Sequence, residues 1–230
     1  MEIADALRTT GSTREFTDET VSDEDVARLL DAARFAPSGG NRQGWRVILL
    51  KDQELRRALR DLYLPAWYEY LAQGSAGLVP WAPITDRAAE QQAREHAGEV
   101  AAQAAAGPGG FAEHLDEVPV LLIVLADLRA LAAVDRDLDR YSMAGGASVY
   151  PFVWSLLLAA RDHGLGGVLT TMVIRAEATV RRLLHVPDEF AVAAVVALGH
   201  PVRQPGRLRR GAVDEFTTLD RFDGAPLARP

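Results

Sequence analysis

Val149, Phe152, Val153, Leu156, Leu157 and Ala160 recur at i, i+3, i+4, i+7, i+8 and i+11. That spacing predicts a helix that is apolar on most sides. Such a helix has little polar surface to give to water, so the rest of the chain must pack around it. It is expected to stop at His163 to Gly167, where three glycines favour termination. The VLTT that follows, ending at Thr171, reads as a short extended piece.

Around this helix the pattern alternates between helices and a few strands. Ser22 before Asp23, Glu24 and Asp25 predicts an N-cap with acids in the first turn, where the helix dipole favours them. Val26, Leu29, Leu30 and Ala33 continue at helical spacing, and Pro37 marks the end. Val47 to Leu50, Val118 to Ala126 and Phe190 to Leu198 read as buried strands. Leu55, Leu59 and Leu62 give another helix its stripe, and Val180, Leu183 and Leu184 a further one. Tyr63 to Trp81 mixes tyrosines and tryptophans with prolines and glycines, and reads as a lid or pocket wall more than as regular structure. Asp86 to Ala106 reads as one surface helix ended by GPGG. The strict strand–helix alternation of a doubly wound sheet is missing, so we expect one α+β domain over residues 1–230. Within it, 63–110 is a variable lid or insert and 203–230 a tail.

Several function classes are disfavoured. No apolar run reaches a membrane span, and the N-terminus lacks the apolar region of an export signal, so neither a membrane partner nor export is expected. With no cysteine there are no disulfides, thiolate nucleophiles or Cys-based metal sites, and the expected compartment is cytoplasmic. A net charge of −7 argues against nucleic-acid binding. His96, His114, His163, His185 and His200 lack metal-ligand spacing, and there is no Gly-x-Ser-x-Gly elbow. The glycines at 164, 166 and 167 follow a helix instead of leading from a strand into one, so a dinucleotide fingerprint is absent. No side chain stands out as acid, base or nucleophile. Chains of this profile often take their chemistry from a cofactor.

Four segments suggest which one. Ser12 and Arg14 suit an anionic group. Ala36 to Trp45 offers backbone amides, the amides of Asn41 and Gln43, and small residues that let a flat ring approach. Gly164 to Thr171 offers extended backbone to a ring edge. Arg203 to Arg210 is a local cationic cluster in an acidic chain. Taken singly, each is better explained as a capping loop, a turn, a helix stop or a solvated tail. Together they are harder to dismiss.

In this order and spacing the segments resemble the nitroreductase family of FMN-dependent flavoenzymes over nearly the whole chain. The resemblance rests on Ser12-Thr-Arg-Glu-Phe16, Ala36-Pro-Ser-Gly-Gly-Asn-Arg-Gln-Gly-Trp45, Gly164-Leu-Gly166 and Gly199-His-Pro201, with the apolar helix between them. It implies a three-layer α+β fold, a mostly antiparallel sheet flanked by helices, and an interlocked homodimer holding FMN at its interface. Ser12 and Arg14 would contact the flavin of their own chain, while Pro37, Ser38, Gly39 and Asn41 would reach it from the partner. Backbone groups of Thr170 and Thr171 would face the reactive ring edge. Arg207 and Arg209, with Arg210 a competitor for the second place, would grip the phosphate. The tail would wrap the partner subunit.

The chain departs from the family pattern in places. Thr10 stands where relatives carry an arginine, with Arg8 a candidate substitute; Gly44 replaces a proline. Trp154 and Ser155 replace amides on the apolar helix, and are either core residues compensated nearby or signs of a reshaped pocket. The implied activity is ping-pong electron transfer from NADH or NADPH through FMN to a nitroaromatic, quinone or similar small-molecule acceptor, with no catalytic side chain. Two other readings stand beside it: an FMN-dependent dehydrogenase or oxidase of a specialised metabolite, and a flavin-sequestering protein with little turnover.

Overall fold

The computed structural model describes residues 1–228. The β-branched and leucine runs form four strands among those residues, β1 (Trp45–Leu49), β2 (Val120–Asp127), β3 (Gly166–Thr170) and β4 (Phe190–Gly199). They make one antiparallel sheet in the order β1-β2-β4-β3. Seven α-helices accompany them, α1 (Ile3–Thr9), α2 (Asp23–Ala33), α3 (Gln53–Ser75), α4 (Arg87–Glu95), α5 (Ala97–Ala105), α6 (Tyr150–Asp162) and α7 (Glu177–Leu183). None of the described helices is long and apolar enough to cross a membrane.

The side chains of β2 sort the molecule into layers. Val120, Leu122, Val124 and Ala126 pack with α2 and α6. Leu121, Ile123 and Leu125 point to the other face, against Leu59 and Tyr63 of α3 and Val180 of α7. Strand alternation thus gives the sheet two buried faces and a helical layer on each. Phe152, Val153 and Leu156 of α6 are almost wholly buried, each worth roughly 1.5–3 kcal/mol relative to exposure. Helix α2 starts at its predicted cap, with Ser22 Oγ accepting from the Asp25 N–H at 3.1 Å; α3 is capped by Asp52, which accepts from the Leu55 N–H at 2.9 Å.

Three expectations need correcting. Tyr63 to Ser75 is not irregular: it is the second half of α3, which runs through Pro65. Tyr63, Trp67 and Tyr70 stack along it with ring centroids 6.2 and 5.5 Å apart. Asp86 to Ala106 is two helices, α4 and α5, meeting at His96. Helix α6 buries one side only, and Trp154 is 41% exposed, so it is not a core residue of this chain.

Candidate functional site

The residues singled out in the sequence gather at two corners of the sheet. At the β3 edge, Ser12 forms a parallel bridge to Gly167, and the Thr13 N–H donates to the Gly167 carbonyl at 2.9 Å. The path continues beside the end of β4, where the Thr17 N–H donates to His200 and Phe16 bridges Pro201. Gly166 and Gly167 make this approach possible. A Cβ on Gly166 would lie 2.6 Å from the Thr13 hydroxyl; one on Gly167 would lie 2.8 Å from the Ala197 carbonyl oxygen. Helix termination alone therefore does not account for these glycines.

The late basic segment returns to the same corner. The Leu208 N–H donates to the Arg8 carbonyl at 2.8 Å, and Gln204 Nε2 donates to the carbonyls of Gly164 and Leu165. Arg8, Arg14, Arg207 and Arg209 are all exposed, and none has a carboxylate partner among the described residues. Thr10 is buried, and its hydroxyl donates to the Ala6 carbonyl. The backbone contact between Leu208 and Arg8 brings Arg207 and Arg209 to the same part of the chain as Arg8, and exposed arginines of this kind suit a phosphate. Thr13 Oγ1 and Gln204 Oε1 are also buried here without partners.

Thr170 completes the corner. Its hydroxyl lies 3.0 Å from the Tyr63 hydroxyl. Burial pushes the Tyr63 phenol above its ordinary value, opposed by the Thr170 hydrogen bond and by the positive charge of nearby Arg14. The Thr171 carbonyl accepts from the Ile174 N–H at 3.0 Å. Tyr63 was not picked out in the sequence; the helical spacing of 63, 67 and 70 is the signal that could have found it.

The second corner precedes β1, at the opposite edge of the sheet. Three strand spacings of about 4.8 Å put the two edges ~14 Å apart. Several of the backbone amides that this loop offers are engaged within the chain. The Gly39 N–H donates to Ser148 Oγ, the Asn41 N–H to the Ser38 carbonyl and the Gln43 N–H to Ser38 Oγ. Left-handed backbone at Gly40, Asn41 and Gln43 (φ 62, 53 and 51) closes these bonds. The loop is held from inside, with Pro37 and the Asn41 side chain exposed at its surface. Trp45 anchors its end by stacking on Phe152 of α6, centroids 4.9 Å apart.

Residues 129–148 brace this loop, and Asp135 organises them. Its buried carboxylate accepts from the N–H groups of Met143 and Ala144, from Ser142 Oγ and from Arg140. These bonds, the Met143 N–H first, hold the carboxyl well below the usual carboxylate range. The folded value lies below the unfolded one, so the contribution is complete above the ordinary carboxylate pKa of about 3.9 and fades as pH falls beneath it. Asp135→Asn should therefore melt earlier than the parent at about pH 7, and the gap should narrow as the scans move down to about pH 3. A constant gap across that series would show that the charge is not what Asp135 contributes.

A cavity of about 560 Å³ touches Arg14 alone among the residues predicted to bind the cofactor. Asp18, Glu19, Asp116 and Glu117 line it, and its buried Arg56 is committed to the carbonyls of Asp116 and Val118. That wall repels a phosphate. A smaller cavity of about 330 Å³ adjoins Thr171 and is lined by Trp81, Arg87, Tyr141 and Arg175 among others. No group of histidines and carboxylates among the described residues could hold a metal ion.

The sequence model of the Nitroreductase family matches residues 7–200. An NADH dehydrogenase of Thermus thermophilus is 30% identical over 84% of this chain and 83% of its own length. A 5,6-dimethylbenzimidazole synthase of Rhodospirillum rubrum is 29% identical over 85% of this chain and 82% of its own. A solved BluB-like flavoprotein from Clostridium difficile 630 is similar in fold, with a TM-score of 0.68 and 20% identity over 96% of this chain and all (100%) of that one.

Proposed function

The chain belongs to the nitroreductase family and is an oxidoreductase, and from that premise we propose an FMN-dependent enzyme that takes electrons from NADH or NADPH. The observation that carries the proposal is the β3 corner, where Ser12 and Thr13 pair with Gly167 and the segment carrying Arg207 and Arg209 returns to Arg8 through the Leu208 N–H. When bound there, FMN would supply a two-electron relay from the nicotinamide to a nitroaromatic, quinone or similar acceptor, donor and acceptor using one face in turn.

The chain's own part is binding and charge. Arg207 and Arg209, helped by Arg8 in place of the missing arginine at Thr10, would hold the phosphate. Ser12, Arg14 and the backbone of Thr170 and Thr171 would hold the ring. A cation at the ring edge stabilises negative charge that appears only on reduction. Tyr63, bonded to Thr170 and shielded from water, would keep that end of β3 in place.

One chain offers only half of such a site, because Pro37, Ser38, Gly39 and Asn41 lie at the far edge of the sheet. A homodimer would supply them from a second copy. The tail favours this assembly: Phe216 is 73% and Phe222 100% exposed, and Trp154 on α6 is also open to solvent. Apolar groups left open in this number mark surfaces that bind something. The cavity beside Thr171 also speaks for turnover over sequestration, since an acceptor needs a place to stand.

Purified protein should be yellow, bind FMN at micromolar concentration, sediment as a dimer, and bleach when mixed anaerobically with NADH or NADPH. A colourless protein that gains no FMN on titration would end the proposal. A monomer that still binds FMN tightly would remove the partner-chain roles.

A further inference from the structure

The cavity beside Thr171 carries more information than its size. Its floor is Thr171 and Met172, at the end of β3, and its walls are Trp81, Tyr141, Arg87 and Arg175. The two arginines are its only charged lining groups. Arg175 has no carboxylate partner among the described residues and lies over the Trp81 ring, 5.5 Å from the centroid. Asp61 and Glu69, which line a separate cavity on the other side of Arg175, are already engaged by Arg60 and Arg94. Arg87 is aimed by two contacts, to Glu90 at 2.9 Å and to the Tyr141 hydroxyl at 2.7 Å. Glu90 offsets part of its charge and leaves that of Arg175 uncompensated.

The Trp81 wall is also specified. Its backbone sits in the left-handed region, φ 52, which a bulky residue rarely adopts. Gln73, with 0% exposure, accepts from the Trp81 N–H at 3.1 Å and holds it there. Backbone strain maintained by a buried side chain is typical of a ligand clamp. A flat aromatic wall with one guanidinium over it and a second lining the same cavity suits an aromatic anion.

From this geometry we infer that the cavity is the acceptor subsite and that it selects an aromatic substrate bearing a carboxylate, held by Arg175 and Arg87 against Trp81. The inference deepens the proposed function, since it rests on the flavin ring lying against Thr170 and Thr171. A cavity of about 330 Å³ has room for a single substituted ring.

Unreactive probes separate binding from turnover. Benzoate and benzamide share size and shape and differ in charge. Calorimetric titration of the oxidised holoprotein should find benzoate bound ~10-fold or more tightly than benzamide, as expected for a charge-assisted pair. Arg175→Gln should bring benzoate affinity down to that of benzamide in the same variant; Arg175→Lys should restore part of the difference. In parallel, reoxidation of chemically reduced holoprotein by 4-nitrobenzoate, relative to 4-nitrobenzamide, should slow ~10-fold in Arg175→Gln. Equal binding of the two probes, or a benzoate preference that survives in Arg175→Gln, overturns the inference. Failure of the underlying reading looks different: the protein then binds no FMN at all. A charge preference that is present while benzoate leaves the flavin absorbance unperturbed would place the anion site away from the ring and overturn the acceptor role.

Discussion

Gly167→Ala should lower the thermal midpoint by about 2–12 °C and release FMN, while Gly98→Ala should leave binding untouched and raise the midpoint slightly. At Gly167 the added methyl would lie 2.4 Å from Leu198 Cδ2 and 2.8 Å from the Ala197 carbonyl oxygen. The leucine can turn aside, but the carbonyl belongs to the sheet. Overpacking of this kind costs about 1–3 kcal/mol, and a chain of this length loses about 2–4 °C for each. The only ways to relieve it are to push β3 from β4 or to push Ser12 and Thr13 from β3. Either opens the cofactor corner. Gly98 lies in α5 with nothing within 4 Å of the same atom, so alanine there chiefly restrains the unfolded chain, a gain of about 0.4–1 kcal/mol. Thermal scans with FMN retention after gel filtration read both effects. An undisturbed midpoint in Gly167→Ala would mean that the strand contacts around it are looser than described.

Two arginines should separate redox tuning from anchoring. Arg209→Ala should weaken oxidised and reduced FMN alike, raising Kd by roughly 10–150-fold for the loss of about 1.5–3 kcal/mol in a charge-assisted contact. The reduction potential should hardly move. Arg14→Ala should instead lower the potential, because its partner charge exists only after reduction. By the two-electron equivalence of about 1.4 kcal/mol to ~30 mV, the fall should be some ~30–60 mV. Dye equilibration measures the potential and fluorescence titration the affinity. Equal potential shifts in the two variants, or none in Arg14→Ala, would withdraw Arg14 from the ring edge.

The sheet and α6 were legible because apolar runs such as Val120–Leu125 have no other stable destination than a core. Helix α3 was not. Pro65 and the glycine at 74 look like breakers, yet the proline is accommodated inside the helix and the glycine sits in its last turn. The aromatic residues that suggested a lid repeat at helical spacing along one face. The Ala36 to Trp45 motif was recognisable, but its hydrogen bonding was not: which donors face outward depends on Ser148, over a hundred residues away. Trp154 was ambiguous for a related reason, since a helix pattern records apolarity without saying whether this chain or another covers it. Arg87 and Arg175 converge only through tertiary packing, and no spacing in the sequence links them.

The bridge between Ser12 and Gly167, and the hydrogen bond from Thr17 to His200, join segments far apart in the sequence. During synthesis the N-terminal segment emerges first and must wait for β3 and for the turn after β4. At about 5–20 residues per second that wait is roughly 10–40 s on the ribosome. Throughout it Arg14 has no platform to be held against. The corner around Ser12 and Gly167 is among the last features the nascent chain can complete, and a ribosome stalled before Gly167 would hold a chain with most of its helices and that corner unmade.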